Sequence, residues 1–172
     1  QMRERRRDII TAPASVRSVG EAVMAADRLL ETAKAQADAQ VSERNAREKA
    51  ELMRQLGMEE GESATKASRT MIRQLEEDQK RRSKRALTDA IDRALIDLLA
   101  IYRDVLMVQV GGDGELINTD LTDLVRQIAD DSTPHQTLAR VDHIETARRR
   151  LIANGNPLLV LEDMAISLRP QA

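Results

Sequence analysis

The apolar positions lay out a series of helices before any other property is considered. From Val16 they run through Val19, Val23, Ala26, Leu30, Ala33 and Ala37 in alternating steps of three and four, the spacing of a helix seam. The seam fades through the polar stretch 38–50 and returns at Leu52, Met53 and Leu56. GMEEGESAT, with two glycines and a serine, then predicts a turn near position 60. A second run opens at Met71, Ile72 and Leu75, crosses the polar EEDQKRRSKR, and turns strongly apolar at Leu87, Ile91, Leu95, Leu98, Tyr102, Val105 and Val108. Folded back antiparallel about that turn, the two runs set polar middle against polar middle and apolar base against apolar base. Val23 then falls near Leu98, and Leu30 near Ile91. The pattern predicts a long helical hairpin.

Beyond Val110, GGDGELIN ends the second run in a loop, and Asn118 or Thr119 is placed to cap a short helix bearing Leu121, Leu124, Val125 and Ile128. Thr133 and Gln136, with Pro134 between them, form a capping box. The helix they open is expected to turn Leu138, Val141, Ile144, Ala147 and Leu151 inward, with Arg148, Arg149 and Arg150 near its C-terminus, where the dipole favours positive charge. Asn154-Gly155-Asn156-Pro157 is punctuation. Gly155 suits a left-handed helix end, Asn156 a cap, and Pro157 a first helical position. In the closing helix Leu158, Leu161, Ala165 and Leu168 form one stripe, and Leu159, Val160, Met164 and Ile166 widen it beyond a single core-facing face. A stripe that wide is expected to be buried on two sides. No segment alternates with period two, so the fold class expected is all-α. The architecture expected is a helical bundle, residues 1–33 plus 86–172, with a long protruding antiparallel hairpin, shaft and turn, at 34–85, within one domain of 1–172.

Composition narrows the chemistry. Aromatic residues are 1% of the chain, so the core must be aliphatic. A formal net charge of −2 excludes a globally basic nucleic-acid binder. The absence of cysteine removes thiolate nucleophiles and Cys-based zinc sites. No apolar run approaches the ~18 residues of a membrane span. The first residue is Gln rather than Met, which suggests a cytosolic piece of a longer chain. The histidines, His135 and His143, follow Ser132 and Arg140 by three positions, so the Glu-x-x-His pairs of a di-iron bundle are missing. The glycine loop lacks the Gly-Lys-Ser/Thr of a phosphate cradle. No catalytic residue, cofactor or metal ligand is expected. The basic run Lys80, Arg81, Arg82, Lys84, Arg85 is mostly answered by Glu76, Glu77 and Asp78 four residues upstream. That leaves Lys84 and Arg85 as candidates for a weak DNA contact.

From about Ala86 onward the chain resembles a known family. The order ALIDLLAIYRDVLMVQVG, ELINTD, a short helix, then ETARRRLIANGNPLLVLEDMAISLR is similar to the C-terminal part of the delta-prime subunits of bacterial DNA polymerase III, components of the sliding-clamp loader. Tyr102-Arg103-Asp104, Leu116-Ile117-Asn118 and the Asn-x-Asn-Pro restart carry the likeness. RRRDIITAP resembles the stretch that leaves the ATPase-type lid domain, and the long hairpin is larger than in the best-known members. The resemblance implies a collar-type domain, one of five that pack into a ring. Its partners would be the delta and gamma/tau subunits, with the sliding clamp and primer-template DNA engaged through the whole complex. It implies neither membrane nor small-molecule ligand, and a cytoplasmic place in the replisome at the nucleoid. No catalytic site is implied in this chain, although the parent complex is a DNA-directed DNA polymerase holoenzyme. The second side of the closing helix would face a neighbouring subunit, which makes Leu158, Leu159, Leu161, Met164 and Ile166 interface candidates, together with side chains from the helix at 134–153. Two other functions fit the composition. One is a free-standing hairpin adaptor or scaffold that self-associates through the Val16–Ala37 seam, and the other is a nucleic-acid-binding helical module using the basic run.

Overall fold

The computed structural model describes residues 11–14, 16–57, 65–112 and 114–169, and among these it is all-α, with no strand. The predicted turn lies outside the described residues at 58–64, as do the basic opening residues 1–10. The helices are α1 (Val19–Gln55), α2 (Lys66–Gln109), α3 (Thr122–Asp130), α4 (Pro134–Ile152) and α5 (Pro157–Ser167), with a single 3-10 turn at Thr119–Leu121 ahead of α3. Local chemistry fixes where they begin. The Ser18 hydroxyl accepts from Glu21 N at 3.1 Å, and the Glu21 carboxylate accepts from Arg17 N at 2.7 Å, which occupies two of the donors a helix start leaves unpaired. Thr65 accepts from Ser68 N at 3.2 Å ahead of α2. Gly111 ends α2 at φ +67, a conformation costly for any residue with a Cβ.

The chain divides into two compact units, residues 34–90 and the remainder. In the larger unit, Ile91, Leu95, Leu98, Ile101, Tyr102 and Val105 of α2 are wholly buried, as are Val125 of α3, Ile144 of α4 and Leu161 of α5. Each such side chain contributes roughly 1.5–3 kcal/mol. The α1 residues buried here are Ala22, Ala25, Ala26, Leu29, Leu30 and Ala33, whereas Val19 is 49% exposed and Val23 half-buried. The expected seam holds at Val16, Ala26, Leu30 and Ala33 and fails at Val19 and Val23, while Ala22, Ala25 and Leu29 widen the inward face. Polar side chains fasten the rest. The Gln109 amide donates to Ser132 O at 2.7 Å and to Ala129 O at 3.3 Å, and its oxygen accepts from the Thr137 hydroxyl at 2.8 Å. Arg148 of α4 grips Asp92 of α2 with two nitrogens, at 2.7 and 3.2 Å.

Asp104 is fully buried and accepts from Ile117 N at 3.0 Å, Asn118 N at 2.8 Å and the Asn118 amide at 2.9 Å. The expected side-chain cap from Asn118 or Thr119 is therefore not formed. No side chain caps the 3-10 turn or α3, because Asn118 is turned inward to Asp104. In the smaller unit, Ala37, Val41 and Ala86 form the seam with Leu87 at its edge. Gln79 donates to Asn45 O at 2.9 Å, and Arg82 donates to Asn45 Oδ1 at 2.7 Å and to Glu48 Oε2 at 2.8 Å. The 34–55 and 66–90 segments are therefore antiparallel, as the matched polar stretches predict. Their register is offset from an exact fold about residue 60, and the contacts among these small apolar residues fit the offset pairing.

Candidate interaction surface

The α4–α5 joint is built from three conformational demands. Thr133 and Gln136 complete the capping box that opens α4, with Thr133 N donating to Gln136 Oε1 at 2.9 Å and Pro134 in the first turn. At the other end of α4, Asn154 rather than Gly155 takes the left-handed conformation, at φ 63. Gly155 is required for a different reason. A Cβ there would lie 2.8 Å from the Arg150 carbonyl oxygen and 3.0 Å from Val160 Cγ2. Gly155 N donates to that same carbonyl at 2.8 Å. Asn156 Oδ1 then caps α5 by accepting from Leu159 N at 3.3 Å, and Pro157 supplies a preset φ. Arg150 of α4 and Asp163 of α5 close the outer side as an ion pair.

This joint sorts the apolar residues of the closing helix. Leu161 and Met164 lie inside the domain's own core, with Val160, Ala165 and Leu168, while Leu158 and Ile166 are half-buried. Leu159 points outward at 62% exposure, and across the turn Ile152 is 71% exposed. On α4 the inward stripe is Thr137, Arg140, Ile144, Ala147 and Leu151, so Leu138 is exposed and Val141 only half-buried. The expected stripe holds from Ile144 onward and is displaced before it. Leu138 and Ile152 lie within about 40° of each other around α4, at ~100° per residue. Ile152 was not singled out from the sequence, because at the last turn of a helix periodicity does not tell a surface side chain from a buried one. The Arg148–Arg150 run does more than answer the dipole: two of its members reach carboxylates on other helices.

In the smaller unit, Lys84 and Arg85 are exposed and form no ion pair with a described residue. The rest of the basic run is not paired in the i,i+4 scheme expected. Arg81 pairs with Asp78, and Arg82 pairs with Glu48 of the facing helix because their side chains converge across the seam. Glu77 binds Arg73 instead. The Arg82 hydrogen bond, with help from Arg44, pulls the Glu48 pKa down to about 2. His135 and His143 are exposed, and no cluster of metal-ligating side chains occurs among the described residues. No described helix is long and apolar enough to cross a membrane.

Comparison with known proteins adds three findings. Residues 64–169 match the family model described as DNA polymerase III, delta subunit, C terminal. The DNA polymerase III subunit delta' of Bacillus subtilis (strain 168) is 35% identical over 72 residues, which is 42% of this chain and 22% of that protein. No solved structure matches.

Proposed function

The chain belongs to the family formed by the C-terminal domains of DNA polymerase III delta subunits, and from that premise we propose that it is a delta-prime-type assembly domain of the sliding-clamp loader. Its task is to hold its parent protein in a collar of like domains with the delta and gamma/tau subunits. The apparatus so assembled places the clamp on primer-template DNA. This domain supplies packing surface, and the chemistry belongs to the rest of the complex.

The observation that carries the reading is the rigid apolar projection at the α4–α5 joint. Ile152 and Leu159 flank a turn whose backbone is fixed by a left-handed Asn154, a Gly155 with no room for a side chain, and a cap at Asn156. Exposed leucines scattered singly need no explanation. Two large aliphatic side chains on either side of an immobilised turn are a different case, because a preordered surface loses little entropy on binding. Leu158 and Ile166, half-buried beside them, extend the same surface, and Leu138 lies further along α4. Leu161 and Met164 support it from within.

The test is Leu159→Asp, alone and with Ile152→Asp, in the chain co-expressed with the other loader subunits. Circular dichroism should remain that of the parent, and co-purification should be lost. Normal assembly of the double variant would refute the reading. A free-standing scaffold, by contrast, would self-associate in light scattering without any loader protein present.

A further inference from the structure

The inward stripe of α4 carries a residue that hydrophobic burial does not explain. Arg140 is 6% exposed and lies between Thr137 and Ile144 on the core-facing side. Its guanidinium carbon stands 5.9 Å from the centroid of the Tyr102 ring. It makes no hydrogen bond or ion pair with any described residue. A cation–π contact alone does not offset taking a guanidinium out of water, and buried charges are normally paired. Beside Arg140 is a cavity of about 30 Å³, which it lines together with Val16, Arg17, Ile128, Asp131 and Leu168. Tyr102 Oη is the only fully enclosed side-chain polar atom without a partner among the described residues, so the Arg140 nitrogens keep accessible surface. Arg140 is one of the residues that line the cavity.

The charges around this cavity do not balance. Its carboxylate, Asp131, is held by Arg17 at 2.6 Å and lies beyond ion-pair distance of Arg140. Arg17 and Asp131 cancel, which leaves the positive charge of Arg140 unanswered among the residues that line the cavity. We propose that the Arg140 cavity receives one carboxylate, the side chain of an Asp or Glu presented by a neighbouring protein of the loader. The planar fork of a guanidinium matches a carboxylate in two-point geometry. A cavity of about 30 Å³ is large enough to admit a group of a few atoms such as a carboxylate head. Val16, Ile128 and Leu168 give an apolar wall suited to the methylene stem behind such a head. A single negative charge, rather than the near-double charge of a phosphate monoester, restores neutrality. This inference rests on the assembly reading and adds to it the chemistry of the partner's contact.

Tyr102 is the only tyrosine of the chain, so 3-fluorotyrosine incorporation places one fluorine reporter against Arg140. Acetate titrated into the whole chain should shift the fluorine resonance saturably, and inorganic phosphate should do so only at higher concentration. In the complex with the other loader subunits, the resonance should already be displaced and should no longer respond to acetate. The Leu159→Asp chain, which should not assemble, should still bind acetate like the parent, and this separates the cavity from the Leu159 surface. An acetate response in Leu159→Asp together with normal assembly of that variant would remove the Leu159 surface and leave the cavity standing. No saturable shift with acetate, tighter binding of phosphate, or a site still open to acetate in the assembled complex would each overturn the proposal.

Discussion

The two units of this chain solve the same problem with different materials. Around the C-terminal half of α2 the larger unit buries Ile91, Leu95, Leu98, Ile101, Tyr102 and Val105 completely, and α3, α4 and α5 each add a large aliphatic side chain. The smaller unit buries Ala37, Val41 and Ala86, and its helices are cross-linked by Arg82 reaching Asn45 and Glu48 and by Gln79 reaching Asn45. In the larger unit charged links such as Arg148–Asp92 are added to a core made of volume, and that volume is indifferent to salt and to mild acid. A narrow seam of small residues leaves more of the work to polar links, which salt screens and protonation breaks. The contrast teaches that α1 and α2, each one uninterrupted helix, change what stabilises them partway along their length.

The sharpest way to break this contrast is to remove volume from the larger unit. Leu98→Ala or Leu161→Ala should cost about 2–5 kcal/mol in urea denaturation, since each empties a fully enclosed site. A loss no larger than that of a surface substitution would mean that this core is not tightly packed. Next in size is Asp104→Ala, which leaves Ile117 N, Asn118 N and the Asn118 amide without their acceptor. It should cost roughly 1–3 kcal/mol, with amide exchange accelerated first at 117 and 118. The smallest effect belongs to the smaller unit and concerns acid. Because Glu48 is held at about 2 rather than its ordinary 4.5, its ion pair with Arg82 adds stability in full above about 4.5. That contribution fades as the pH falls through about 2. Acid should therefore loosen amide protection within 34–90 over that window, and Glu48→Gln should reduce the dependence to what the Arg81–Asp78 pair contributes. Equal acid sensitivity in the variant would place the titration elsewhere.

Where the sequence was legible, a large side chain or a cap did the signalling. The Thr133–Gln136 capping box, the Asn156 cap with Pro157, and the Leu95–Leu98–Tyr102–Val105 face can each be found by spacing alone. The failures share one cause. Along α1, Val19 and Val23 fit the seam by spacing but are not buried, and Ala22 and Ala25, whose small size gives them little weight in a hydrophobic pattern, share the buried face with Ala26 and Leu30. Along α4, Leu138 and Val141 attracted the inward assignment because they are apolar, while Thr137 and Arg140 hold it. A polar residue on a core-facing stripe is invisible to periodicity until its neighbours are placed. The closing helix is legible as apolar on more than one face, and only the structure divides the buried Leu161 and Met164 from the exposed Leu159.

The Asn154–Gly155 joint also bears on how the molecule ages. Asparagine followed by glycine is the dipeptide most prone to deamidation, since the unhindered glycine nitrogen can close onto the asparagine side-chain carbonyl as a succinimide. Here that nitrogen is committed to the Arg150 carbonyl at 2.8 Å, and Asn154 is fixed at φ 63, so the attacking atom is tied down. The folded joint therefore shields its own weakest bond. Aspartate and isoaspartate at 154 will accumulate in proportion to the fraction of time that the end of α4 is open, which makes this asparagine a slow chemical clock for fraying of the surface it supports.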